Sequence, residues 1–481
     1  MTMKRMMLVW MMILCLVPLC GWAEEESAPT LYPIRENGLW GYMNWAGEVV
    51  IEPQWADAEP FRGQYAVVYP GTDDPEVDPK EYCGIIDICG HWVLEPDCRK
   101  ILSKDNDGDY IGGRDEGIYI VWGPDHHQRD NYAGYFDIPS GFWSGMLYEW
   151  VDGEWYGDVD PELVCVTLGD LKGFVRRTTG EQVIPCRYDP YQYYYFEGDY
   201  CAVMPCDSDV ADGWILMDRT GREIPMPENC YLTGHIATVE DGLIPVWQAV
   251  SDEDEWAEEG LCGYIDLEGN LVIEPQYIWA YPFYEGRACV VTDPEFEQTV
   301  VITPENEVVA VIPDSANRLG SGFGYNHGLL QLAHYTEDDD LAYIAFFNRN
   351  GEEVFRLATE NLYNALDPFS NGIALYLTGT EDPYGGFTDE RSGLFSIEGG
   401  ILTPPVFATS ESNVQRDFSE DLLSLADADT GKTGFVDNTG CWVIPPQYDS
   451  ADDFRDGLAL VEKDGKLMYI DRSGAVVWEE R

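Results

Sequence analysis

The side chains able to do chemistry are scattered, and few stand at the spacings that chemistry requires. His126-His127 follows Asp125 in "GPDHHQRD", two imidazoles and a carboxylate with no third ligand at a defined distance along the chain, whereas a zinc site needs at least three protein ligands. Asp105, Asp107 and Asp109 alternate as in a calcium loop. Counted from Asp105, however, the sixth residue is Tyr110, where that loop needs Gly. Counted from Ser103, Gly108 fits but Arg114 falls where a bidentate Glu belongs. His91, His235, His327 and His334 stand alone, and no nucleophile elbow, His-Glu-x-x-His or phosphate-cradling glycine loop occurs. Acidic pairs are so frequent that no glycosidase-like carboxylate pair can be singled out. No catalytic residue, cofactor or metal ligand is assigned.

Aromatic side chains are the other candidates. "GFWSGMLYEWVDGEWYGD" carries Trp143, Tyr148, Trp150, Trp155 and Tyr156, and "PYQYYYFEGDY" carries Tyr191, Tyr193, Tyr194 and Tyr195. Aromatics displayed on a rigid scaffold can stack on sugar rings or anchor a protein partner. The competing reading makes them padding between irregular structural units.

The units themselves are visible as a repeated phrase. "GYMNWAGEVVIEPQWADAEPFRGQYAVV" from Gly41 returns as "GYIDLEGNLVIEPQYIWAYPFYEGRACVV" from Gly263 and as "GFVDNTGCWVIPPQYDSADDFRDGLALV" from Gly434. Weaker copies open at Gly84, Gly134, Gly173, Gly213, Gly393 and Leu467, and degenerate ones lie near Val300 and Tyr343. About eleven units of roughly 40–45 residues result, a period typical of solenoids and propellers. Asn/Asp-x-x-Gly recurs at Asn44–Gly47, Asp87–Gly90, Asp218–Gly221, Asp266–Gly269, Asn348–Gly351, Asp437–Gly440 and Asp471–Gly474. The first side chain of each can bond the backbone two residues on, and Gly accepts the left-handed conformation of a bulged hairpin. Flanking runs rich in Val, Ile and Tyr read as strands, and Asp464-Gly465 as a further hairpin. Each unit is therefore expected to be a three-stranded meander, ended by Pro and followed by a crossover. Trp55, Tyr188, Tyr277 and Tyr448, with Phe61, Phe196, Phe283 and Phe454, are expected to pack between units, because one meander cannot bury its own apolar face.

This pattern resembles the WG-repeat family of bacterial proteins, also called WG-containing or KWG repeats. The resemblance is strong at the units opening at Gly41, Gly263 and Gly434, moderate elsewhere after residue 30, and poor between about 295 and 390. The Trp-Gly pair itself stands only at Trp40-Gly41; other copies have Cys83-Gly84, Cys262-Gly263 or Thr433-Gly434. The resemblance implies a β-rich array used for binding or as an accessory module, and no defined reaction.

Residues 1–23 read as a secretory signal: Lys4 and Arg5, the apolar run "MMLVWMMILCLVP", and a small-x-small site at Gly21-Trp22-Ala23. Leu19 before Cys20 argues against a lipoprotein. Residues 24–481 form the repeat region, with no further apolar stretch long enough for a membrane-spanning helix. The 481 residues hold 88 acidic and 28 basic side chains, a net charge of −60. Such charge opposes nucleic acid and anionic surfaces as direct ligands, while 45% hydrophobic and 13% aromatic residues suffice for a continuous core. Acid concentrates in "DEDEWAEE" and "EDDD", which read as solvated loops. Eleven cysteines follow the signal, without Cys-x-x-Cys. Cys83 and Cys262 share one station, as small core residues would; a Cys201–Cys206 disulfide is open, and so many thiols in an exported chain suit an anaerobic habitat.

The expectation is an all-β tandem array, a propeller-like ring being preferred over an open β-solenoid. It would be an exported, non-enzymatic binding or scaffold protein with a protein or peptide partner, basic by charge complementarity. The alternatives are a neutral-glycan binder and, third, a cryptic hydrolase.

Overall fold

A computed structural model describes residues 30–481 except 73–77, 79, 81, 99, 105–116, 124–131, 154–159, 207–212, 234–238, 240, 250–259, 294–297, 313–324, 327, 336–340, 359–360, 366–371, 382–386, 397, 399 and 410–417. The described chain contains strands and no helix. The strands form eleven small antiparallel sheets in chain order, spanning 32–55, 57–98, 100–143, 150–188, 200–218, 230–277, 279–312, 325–357, 362–408, 422–448 and 450–479. They are numbered one to eleven below. Each opening read from the sequence lies in or beside the second long strand of a sheet, including the degenerate copies, where Thr299–Ile302 and Leu341–Asn348 take that place.

The turns explain the meander. All seven Asn/Asp-x-x-Gly glycines have positive φ, from 72° at Gly351 to 83° at Gly474. In the turn at Asp266, the side-chain Oδ1 accepts the amides of Glu268 and Asn270 at 3.0 and 2.8 Å. Asp464 and Gly465 are both left-handed and join Leu458–Lys463 to Lys466–Asp471.

Two expectations need correction. Pro does not end the third strand: Val49–Trp55, Leu271–Tyr277 and Trp442–Tyr448 run through Pro53, Pro275 and Pro445–Pro446 to the aromatic residue. The pairing slips there, as between Trp40/Trp55 and Tyr42/Ile51, so Pro sits in a bulge, where its missing N–H costs no ladder bond. The bulge explains the opening glycine. A Cβ on Gly41 would lie 2.5 Å from the Ile51 carbonyl oxygen and 2.5 Å from the Pro53 nitrogen, and one on Gly434 2.5 Å from the Ile444 oxygen; only glycine lets the bulged backbone come so near. Second, most meanders gain a short extra strand ahead of them, such as Asp57–Ala58, Trp279–Ala280 and Ser450–Ala451.

The sheets stack through one apolar cluster per junction. Between sheets six and seven, Tyr264, Ile273, Tyr277, Ala280, Phe283, Ala288 and Val290 are buried together. Between ten and eleven, Phe435, Ile444, Tyr448, Ala451, Phe454, Ala459 and Val461 repeat that set at the same spacings, and Tyr42, Ile51, Trp55, Ala58, Phe61, Ala66 and Val68 repeat it between one and two. Tyr188 is buried, and Phe196 half-buried, between four and five. The repeated aromatics are thus the inter-sheet core. Tyrosines after the opening glycine also tie a sheet to the crossover beyond it: Tyr42 Oη donates to the Glu59 carbonyl at 2.8 Å and Tyr264 Oη to that of Tyr281 at 2.7 Å.

The array closes on itself. Tyr32, Ile34 and Met43 of sheet one are buried against Leu458, Tyr469 and Trp478 of sheet eleven. The Tyr32 and Tyr469 rings meet edge to face at 5.4 Å, Tyr469 Oη donates to the Pro33 carbonyl at 3.0 Å, and Arg35 grips Glu480 in a bidentate pair at 2.6 and 2.9 Å. Among the described residues no strand crosses between the two terminal sheets, so side-chain packing seals the ring.

Candidate functional site

Because the units repeat, each serves as a control for the others, and the departures point to function. The residue before the opening glycine pairs across the bulge with the aromatic at the end of the third strand. It is Trp40 opposite Trp55, Cys262 opposite Tyr277 and Thr433 opposite Tyr448. In sheet four it is Lys172 opposite Tyr188, and Lys172 is buried. Its ammonium donates to Asp152 Oδ2 and to the Gln192 carbonyl, both at 2.8 Å, and stands 5.2 and 5.8 Å from the ring centres of Tyr193 and Tyr194.

These contacts join the two aromatic-rich stretches at one place. Asp152 belongs to the first, and Gln192, Tyr193 and Tyr194 to the second. Between them lies a small cleft at the junction of sheets four and five, lined by Asp152, Asp160, Cys165, Phe174, Tyr195 and Phe196 among others. Asp160 is capped from sheet five by Arg219 at 2.7 Å, and the Arg219 guanidinium lies 5.2 Å from the Phe196 ring centre.

A thiol beside a carboxylate and an ammonium raises the question of nucleophilic catalysis. Burial pushes the Asp152 carboxyl up, against the pull of Lys172. Burial first, then the Asp152 charge, push the Cys165 thiol well above its usual range. A reactive cysteine needs the opposite shift, toward thiolate. Lys172 is held by two hydrogen bonds and two ring faces. The arrangement anchors the loop carrying Gln192 against sheet four; its chemistry is that of a desolvated, fully engaged ion pair.

The aromatic candidates fall into two groups. Trp143 packs into the core between sheets two and three. Tyr148 is buried between three and four, stacked on Tyr135 with centroids 6.2 Å apart, and Trp150 meets Trp122 edge to face at 4.7 Å. Tyr194 is buried, Tyr195 lines the cleft, and Tyr193 and Tyr191 face solvent, the latter 86% exposed. Trp155 and Tyr156 lie outside the described residues, as do His126, His127 and the Asp105–Arg114 stretch. Cys201 is buried and Cys206 exposed, and no disulfide joins them. Sequence reasoning passed over Lys172, Asp152 and Arg219. The one signal was a lysine at a station that the three strong copies fill with Trp40, Cys262 and Thr433.

Bulge, turn and inter-sheet core define a class of β-repeat ring. Within it, residues 40–69, 263–293 and 434–466 match the WG containing repeat, so the chain carries that repeat at three places. Each match begins in the second long strand of one sheet and ends beyond the crossover in the next, so it spans one inter-sheet core. Solved structures similar to the chain include BamB from Moraxella catarrhalis, at 10% identity over 87% of this chain and 94% of that one with a TM-score of 0.24. Others are the β-propeller domain of the Trilobed protease from Pyrococcus furiosus (11%, 58% and 92%, TM-score 0.30) and a eukaryotic initiation factor (12%, 78% and 95%, TM-score 0.36). No curated protein matches the chain.

Proposed function

We propose that the ring is a non-enzymatic binding or scaffold protein, exported by its N-terminal signal, that recognises a protein or peptide carrying basic side chains. The observation that carries this reading is the junction of sheets four and five. There a buried ion pair departs from the repeat and holds Tyr193 half in solvent, next to the exposed Tyr191. Rigid aromatics beside carboxylates suit lysine- and arginine-bearing segments, through ring–cation contact and charge. The net charge of −60 favours the same partners by steering. The raised Cys165 and Asp152 and the engaged Lys172 speak for binding over catalysis at this cleft.

The test is an array of basic, neutral and acidic peptides, with neutral oligosaccharides alongside, probed with the mature chain at low and high salt. Basic peptides should be retained, salt should weaken them, and Tyr191→Ala should reduce retention about tenfold while far-UV circular dichroism and melting stay unchanged. Retention of neutral oligosaccharides, indifferent to salt, would replace this reading with glycan binding.

A further inference from the structure

The turns of this ring bring three side chains together. In an Asn/Asp-x-x-Gly-x turn, the first residue meets the third and the fifth. Thr220, Thr439 and Ser473, all third, donate to the first-position Oδ1 at 2.6 Å. The fifth residue and the first side chain also meet in four pairings: Asn44 to Glu48 at 2.9 Å, Arg222 to Asp218 at 3.0 Å, Asn270 to Asp266 at 2.9 Å, and Asn348 to Glu352 at 2.9 Å. Convergence of these three stations is therefore a property of the fold, independent of which residues occupy them.

In sheet two the three stations are Asp87, Cys89 and His91. Their ligand atoms, a carboxylate oxygen, a thiol sulfur and an imidazole nitrogen, all lie within 4.8 Å of one another. His91 Nδ1 is 3.4 Å from Asp87 Oδ2. Asp87 Oδ1 is occupied by the Cys89 and His91 amides, both at 2.9 Å, so the backbone is pinned while Oδ2 remains on the ligand side. Cys89 and Cys441 are both exposed thiols on such turns, but the turn of Cys441 carries Thr439 in place of a second soft ligand.

We propose that Asp87, Cys89 and His91 bind a zinc-class divalent cation. One oxygen, one sulfur and one nitrogen donor match the mixed ligand preference of that ion class, and hard oxygen-seeking cations such as calcium and magnesium would not use the thiol or imidazole. Zinc bonds of about 2.0–2.3 Å set ligand atoms roughly 3–4 Å apart, a contraction that exposed side chains on a fixed turn can make by rotation. Three protein ligands leave the fourth tetrahedral position open toward solvent, ready for water or for a donor from a bound partner.

Cobalt(II) titration of the whole mature chain under reducing conditions tests this, since a cobalt–thiolate bond has its own near-ultraviolet charge-transfer band. One equivalent should give the band, and zinc should remove it. Cys89→Ser should abolish it, His91→Ala should weaken binding about tenfold or more, and Cys441→Ser should leave it intact. The repeat supplies a gain-of-site variant: Thr439→Cys with Cys441→His places the same trio at Asp437 in sheet ten and should add a second equivalent. Absence of the band from the unmodified chain, or its persistence in Cys89→Ser, would overturn the proposal.

Discussion

The junction between sheets ten and eleven and that between sheets four and five share one plan and differ in what fills it. In the first, Phe435, Ile444, Tyr448, Phe454 and Val461 form an apolar seam within one short stretch of chain, crossed by the hydrogen bond from Ser424 to Asp453. In the second, Phe174, Ile184, Tyr188, Phe196 and Val203 take the same stations, but Lys172 stands where Thr433 stands and drags Asp152 into the interior. An apolar seam stabilises mainly by burial. A seam with a desolvated ion pair gains little net stability from it and gains instead a fixed position for the loop bearing Tyr191 and Tyr193. Repetition sets the scaffold, and a polar substitution at one station turns one joint into a candidate recognition site.

The largest expected effect breaks the ion pair. Lys172→Met leaves the Asp152 carboxyl buried and unpaired, at a cost of about 3–5 kcal/mol in urea unfolding. Lys172→Met with Asp152→Leu should recover most of that loss. A single-variant cost under about 1 kcal/mol, the range of exposed pairs, would mean the pair is solvated and the two junctions are energetically alike.

A smaller effect probes the bulge common to both. Gly434→Ala drives a methyl group into the Ile444 carbonyl and the Pro446 nitrogen, 2.5 and 2.7 Å away, and should destabilise by about 1–3 kcal/mol. Gly173→Ala, with its Cβ 2.7 Å from the Ile184 oxygen and the Cys186 nitrogen, should behave alike. A neutral outcome at both positions would remove the bulge as the reason for the opening glycine.

The smallest effect is a pH dependence carried by the turns. Burial pushes the Asp218 carboxyl up, but hydrogen bonds from Thr220 and Arg222 outweigh it and bring the carboxyl down to about 2, against about 3.9 unfolded. A group held lower in the folded state adds stability that is present above about pH 4 and is lost as pH falls through about 2. Asp218→Asn keeps a residue that serves natively at Asn44 and Asn348. Stability at pH 6 should shift by less than about 1 kcal/mol, while the fall in melting temperature from pH 4 to pH 2 should become shallower. An unchanged acid profile would show that this carboxylate does not contribute.

Most of the scaffold was legible because every inter-sheet core except that of the closure is written in one stretch of chain. Tyr264 through Val290 touch one another in space and lie close in sequence, so their spacing repeats wherever the junction repeats. The bulge was harder to read. Pro53 looks like a strand end because it lacks a donor, and only the Gly41 backbone opposite shows why the strand runs on. Two-residue strands such as Trp279–Ala280 are too short for any alternation to register. Lys172 did not stand out because lysine is nearly always a surface residue, and its partner Asp152 lies 20 residues away in sequence. Among the aromatics, Trp150 and Tyr191 were alike in sequence; packing against Trp122 separates them. The ring closure joins Tyr32 to Tyr469 across almost the whole chain, and no local pattern encodes such a contact.

That closure is the claim on which the rest depends, since an open array would leave Tyr32, Ile34, Tyr469 and Trp478 in water. Single-particle electron microscopy of purified residues 24–481 tests it most directly. A closed ring of eleven segments is expected, with sheet one seated on sheet eleven and no gap at the termini. An arc, or a superhelix whose terminal segments stand apart, would contradict it.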